Sequence, residues 1–155
     1  MNKKEVIKHQ IEVCKRNADM LYKLIEILEN VFPLDKESYH DLSFENRVNI
    51  DAFLHRIAKL QDSLGKLIKF YLDYEGIETG QLTPRDIFNI AEKYGIINSV
   101  ESWFSLRDLR NSIAHDYSLL DTEVINILNR TFELSKELLD NFDRVYKIIT
   151  LNIKE

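Results

Sequence analysis

The chain has 155 residues, of which 45% are apolar, 30% charged and 10% aromatic, proportions that fit one globular core and exclude a disordered chain. Four glycines and two prolines are too few for the many tight turns of a sheet-rich fold, so helices are expected. A formal charge of −5 excludes a generally basic nucleic-acid coat, and any contact with RNA or DNA would need a local cluster of positive charge.

The first helix is read from Ile7, Ile11, Cys14, Ala18, Leu21, Ile25 and Leu28, whose spacings of three and four make one apolar stripe. Cys14 is the only cysteine, which rules out an intrachain disulfide and a multi-cysteine zinc site and suits a reducing cytoplasm. The opening MNKKEVIKHQ lacks the apolar centre of a signal peptide, and no apolar run approaches the ~20 residues of a membrane span. A cytoplasmic, unanchored protein with no membrane partner is expected. From Val31 to Leu42 the pattern breaks around Pro33, which predicts a loop. Within it, Glu37-x-x-His40 has a metal-bundle spacing, but it occurs once and predicts no metal site.

Ser43 caps a second helix with the stripe Ile50, Phe53, Ile57, Leu60, Leu64, Leu67 and Tyr71, widened by Leu54 and Ile68 and ending near Tyr74, before Gly76. Gly65 inside it costs about 1 kcal/mol relative to alanine and suggests the close approach of a neighbouring helix. Arg56, Lys59, Ser63 and Lys66 share a stripe here, with Lys69 nearby. This is read as a solvated face, with contact to an RNA backbone or a partner as the alternative. Thr83-Pro84-Arg85-Asp86 opens a short third helix that Gly95 stops. Asn98 with Glu101 caps a fourth, carrying Val100, Trp103, Leu106, Arg110, Ile113 and Ala114. Trp103 and Phe104 are assigned to the core or a dimer interface rather than to base stacking. Asp121, with Glu123 in the first turn, opens a last helix that includes Val124, Ile127, Leu128, Leu134, Leu138, Phe142, Val145 and Ile149. The expectation is one all-α domain over residues 1–155, an up-and-down four-helix bundle with an additional short helix.

The end of the fourth helix reads Arg110-Asn111-Ser112-Ile113-Ala114-His115-Asp116-Tyr117, or R-N-x3-H-x-Y. With the arginines and histidines of this chain an R-x4-H pair is expected roughly 0.2 times by chance, and adding the asparagine and the tyrosine lowers this to roughly 10⁻³. Taken singly, Arg110 reads as a surface cation paired with Asp108 or Asp116, and His115 as a histidine on the free carbonyls of a helix end. Asn111 reads as a solvated polar residue and Tyr117 as an amphipathic closure of the bundle. One arginine and one histidine together are a minimal kit for metal-free RNA cleavage. Histidine moves protons near neutrality, and arginine offers a charged fork of donors matched to phosphate.

On these residues the chain resembles the HEPN superfamily, and within it the HepT-like toxins that accompany a minimal nucleotidyltransferase. The resemblance implies a metal-independent endoribonuclease with no cofactor, with Arg110 and His115 as the catalytic pair and Asn111 as the supporting polar residue. It also implies that Tyr117 is the acceptor of AMP from the partner nucleotidyltransferase, which acts as the antitoxin. Arg107, one turn before Arg110, is the candidate for an accessory RNA contact. Arg110 and His115 lie five residues apart, which puts them roughly 140° apart around a helix. A shared site therefore needs the helix end to unwind or two chains to join their motifs in a homodimer cleft. An AMP group beside Arg110 would block RNA by bulk and charge. The competing expectations are a non-catalytic helical subunit that binds substrate or docks the nucleotidyltransferase, and a plain dimerisation adaptor.

Overall fold

The computed structural model describes residues 1–115 and 119–153, with the side chain of His115 outside the description. Among the described residues there are six helices and no strand. These are α1 (Lys3–Leu28), α2 (Lys36–His40), α3 (Phe44–Tyr74), α4 (Pro84–Lys93), α5 (Val100–His115) and α6 (Asp121–Asn152), with a 3₁₀ turn at Thr79–Gln81. The long helices α1, α3, α5 and α6 are the four expected. The expected loop from Val31 to Leu42 instead contains a second short helix, α2. Its cap explains the difference: the Asp35 carboxylate accepts from the Ser38 amide at 2.8 Å and the Ser38 hydroxyl accepts from the Asp35 amide at 2.9 Å, a reciprocal box that holds one turn without an apolar stripe.

The core follows the apolar spacing. All seven residues of the α1 stripe are buried, as are all seven of the α3 stripe, and the two helices pack against each other. On α6 the buried face includes Ile125, while Val124 and Ile127 are half-buried. The rotation arises because α6 meets α1, α3 and α5 at once. Glycines end α3 and α4 in the same way. Gly76 (φ 93°) and Gly95 (φ 73°) take the left-handed conformation, and the following amides of Ile77 and Ile96 reach back to Leu72 and Ala91 at 3.0 and 2.8 Å. These two reversals set α4 beside α5.

The start of α5 is capped by Ser99, one residue later than expected: its hydroxyl accepts from the Ser102 amide at 3.1 Å. Asn98 serves another purpose, because its amide donates to Asn141 at 2.9 Å and its side chain to Glu137 at 2.8 Å, tying α5 to α6. Gly65 admits aromatic rings rather than a helix backbone. A Cβ there would lie 3.4 Å from Phe88 of α4 and 3.8 Å from Trp103 of α5. No helix among the described residues is long and apolar enough to cross a membrane.

Candidate functional site

On α5, Trp103, Arg107 and Arg110 follow at i, i+4 and i+7 and so share one face. On α3, Asp62, Gly65, Lys66 and Lys69 do the same. These faces meet across a cleft of about 460 Å³ that α4 closes with Pro84, Ile87 and Phe88. Lys66, Lys69 and Arg107 are exposed around it. None of the three makes an ion pair among the described residues.

Arg110 forms the wall at one end. Its Nη1 donates to the Ala58 carbonyl and to Gln61 Oε1, both at 3.2 Å, and its Nη2 donates to Asp62 Oδ1 at 3.0 Å. The guanidinium side chain is only 16% exposed, whereas Asp62 is 63% exposed. Gln61, 3% exposed, in turn donates to the Trp103 carbonyl at 2.7 Å, so three acceptors on α3 fix Arg110 and one of them, Gln61, also reaches back to α5. Among the described residues the anion beside Arg110 is therefore Asp62 on α3, a contact between helices, and not Asp108. Asp116, the other expected partner, is outside the described residues.

A second depression, of about 380 Å³, lies on the other side of Arg110 and is lined by Asp51, Leu54, His55 and Ala58 of α3 and by Asn111, Ile113 and Ala114 of α5. Asn111 is exposed there. His115 is the last residue of α5, so its backbone continues the helix from Arg110 without a break. The helix does not unwind between them, and their backbone positions keep the separation of roughly 140°. Tyr117 lies outside the described residues.

Other sequence candidates separate. Arg56 donates to Asn17 of α1 at 3.1 Å and Ser63 is buried, so the stripe through Arg56, Lys59, Ser63 and Lys66 is no single solvated face. Lys66 belongs to the cleft. Trp103 is core, 4% exposed, and Phe104 lies under the Arg85 guanidinium at 4.3 Å. His40 pairs with Asp121 at 3.2 Å, and among the described residues no group of three or more His, Cys, Asp or Glu side chains is gathered to hold a metal. Gln61, Asp62 and His55 are site residues that the reading of the sequence did not single out. Gln61 carried a signal: it sits four after Ile57 and three before Leu64, a polar side chain within the apolar stripe, and such a residue needs a buried partner.

The described residues form an all-helical protein whose penultimate long helix carries an arginine braced at the rim of a cleft lined by three further cations. A family model described as "Nucleotidyltransferase substrate binding protein like" matches residues 19–144. The chain belongs to this family, a HEPN-related helical family associated by its name with a nucleotidyltransferase. No curated protein and no solved structure matches the chain.

Proposed function

We propose that the chain is the toxin of a toxin–antitoxin pair, a metal-independent endoribonuclease that works as a homodimer and is silenced by AMP addition to Tyr117 by its partner nucleotidyltransferase. The observation that carries this reading is the place of Arg110: the first residue of a complete R-N-x3-H-x-Y string stands braced by α3 beside three exposed cations. In the proposed reaction the ribose 2′-hydroxyl attacks the adjacent phosphorus. A 2′,3′-cyclic phosphate forms, the bond to the 5′-oxygen breaks, and the leaving oxygen takes a proton. One group must remove the first proton and another supply the last. A dimer cleft holds a His115 from each chain for these two transfers, with the Arg110 guanidinium facing the charge that builds on phosphate. The unbroken helix between Arg110 and His115 favours this two-chain arrangement, since it removes the alternative of an unwound helix end. Asn111, exposed one residue beyond Arg110, is the supporting polar group.

The test is RNA cleavage in EDTA by protein produced without any nucleotidyltransferase, its unmodified mass confirmed, beside His115→Ala prepared identically. Cleavage by the wild type alone is expected. Equal activity in the two, or none in either, would reject the assignment of His115. A second reading, a non-catalytic subunit that binds substrate for the nucleotidyltransferase, is favoured by the Asp62 carboxylate on Arg110, which partly neutralises the charge that catalysis would use. Under that reading neither protein cleaves RNA and both still bind the nucleotidyltransferase.

A further inference from the structure

The last turns of α3, α4 and α6 meet around a pocket of about 390 Å³ that shares no residue with either hollow beside Arg110. Its walls are aliphatic, made by Leu72, Ile77, Ile96 and Ile148. Its polar side belongs to Tyr71 and Glu75 of α3 and Asn152 of α6. The Tyr71 phenol is buried; its oxygen accepts from the Asn152 amide at 2.8 Å and lies beside the Glu75 carboxylate. Burial raises this phenol above its ordinary range and Glu75 adds to the rise, so at neutral pH Tyr71 is an uncharged hydroxyl. Glu75 is then the one charged group in the lining. It is exposed and makes no ion pair among the described residues. The three helix ends add to its charge, because each carries the equivalent of roughly half a negative charge on its last carbonyls. Neither α3 nor α6 has a basic residue in its last turn, and the Lys93 that closes α4 does not line the pocket. The end of α3 already draws one ammonium from outside the lining, since Lys3 Nζ donates to the Asp73 carbonyl at 3.4 Å.

We infer that this pocket binds a small organic amine, with its ammonium at Glu75 and an apolar body among the four aliphatic side chains. About 390 Å³ is within the range of small-molecule sites, roughly 300–1,000 Å³, and far exceeds the needs of a bare cation. A carboxylate beside three negative helix ends selects positive charge and repels an anion. Tyr94, which is 63% exposed and part of the lining, brings an aromatic ring to the same place, and such a ring attracts an ammonium through its face. Walls without a polar atom give the body of the ligand its affinity by burial alone, so a ring or a branched chain is accepted without directional contacts. The site stands apart from the proposed cleavage, since none of Arg110, His115 and Tyr117 belongs to it. A bound amine would join the ends of α3, α4 and α6.

The experiment is a calorimetric titration of the full chain at neutral pH with 3-phenylpropylamine, and with 3-phenylpropanol, 3-phenylpropionate and ethylamine as probes that lack the charge, reverse it or lack the body. Saturable binding of 3-phenylpropylamine is expected. The alcohol should bind about fivefold more weakly, because an exposed carboxylate contributes modestly to an ion pair. The acid and ethylamine should each bind at least about tenfold more weakly, the first through repulsion and the second through lost burial. Glu75→Gln should remove the preference for the amine over the alcohol while leaving the binding of the alcohol unchanged, and Ile148→Trp, which fills the pocket from α6, should weaken all binding about tenfold or more. Glu75→Gln changes an exposed side chain and provides the test if Ile148→Trp fails to fold, with circular dichroism establishing that each titrated protein is helical. The assignment is overturned if the wild type does not bind the amine, if the acid or the alcohol binds as tightly as the amine, or if folded Glu75→Gln prefers the amine as the wild type does. RNA cleavage plays no part in these titrations, so a failure here is separate from a failure of the cleavage assay.

Discussion

Replacing Arg110 with alanine should destabilise the protein far more than replacing the aspartate it pairs with, although the two share one ion pair. The Asp62 carboxylate is 63% exposed, so water replaces the lost guanidinium, and the pair contributes about 0–1 kcal/mol after screening. Asp62→Ala is therefore expected to cost less than about 1 kcal/mol. Arg110→Ala has a second consequence. Gln61 is 3% exposed and its Oε1 accepts from Arg110 at 3.2 Å, while its amide nitrogen is committed to the Trp103 carbonyl. Losing the guanidinium leaves a buried acceptor without a donor, a penalty of about 1–3 kcal/mol. The Ala58 carbonyl is less affected because it lies inside α3 and keeps its helical partner. A total near 2–3 kcal/mol is expected for Arg110→Ala, a large part of the ~5–15 kcal/mol that holds a domain together. Equilibrium unfolding in urea, with unchanged slopes, measures both variants. The double variant Arg110→Ala with Gln61→Leu should cost less than the two single changes added, because they break a common hydrogen bond. Equal costs for Asp62→Ala and Arg110→Ala, or a cost below about 0.5 kcal/mol for the latter, would refute the assignment of Arg110 as a buried brace between α3 and α5. The result also governs how lost activity in Arg110→Ala is read.

Tyr117→Phe should gain no AMP when incubated with the partner nucleotidyltransferase and ATP, while the wild type gains its mass; an equal gain in intact-protein mass spectrometry would move the acceptor elsewhere. Burial pushes the Cys14 thiol up to about 11 from its ordinary 9.0, so at neutral pH a disulfide reagent should label it only at the rate of unfolding. The folded state holds this proton more tightly than the unfolded state, so the associated stability is complete below about pH 9 and is lost as pH rises towards 11. Cys14→Ala should flatten the fall of the urea midpoint across that window, and an unchanged slope would show that the thiol does not contribute. Asn129 of α6 clamps the backbone of Leu34, accepting from its amide at 2.7 Å and donating to its carbonyl at 2.9 Å. Asn129→Ala should cost about 1–3 kcal/mol and remove hydrogen-exchange protection at Leu34, and retained protection would show that the clamp is not what orders the segment before α2.

The parts of this fold legible in the chain are those governed by neighbours in sequence. The stripes on α1 and α3 depend only on helical period, and all fourteen stripe positions are buried, while of the two residues that widen the α3 face Ile68 is buried and Leu54 half-buried. Thr83 and Pro84 start α4 through contacts within one turn, and Gly76 and Gly95 end α3 and α4 because a left-handed residue after a helix strongly favours glycine. The extra helix α2 was hidden because its five residues span too little chain for a period to show. Asn98 and Ser99 are both good caps, and the choice between them was decided 43 residues away by Asn141.

For the site, the short motif marked Arg110, His115, Asn111 and Tyr117 through their spacing, and Arg107 through its position one turn earlier. Their surroundings were not legible. That Arg110 pairs with Asp62 and Gln61, across 48 and 49 residues, follows from how α5 lies on α3. That Lys66 and Lys69 join Arg107 around one opening requires α4 to stand between the two helices. Amphipathic spacing determines which side of each helix turns inward, because burying apolar surface rewards any partner of the right period. Which polar side chains then meet is decided by the angle and register of packed helices, set by the summed fit of many side chains distant in sequence. Periodicity by itself determined a helical bundle with a marked helix end in this protein, and only the packing of α3, α4 and α5 made of that end a braced arginine and a basic cleft.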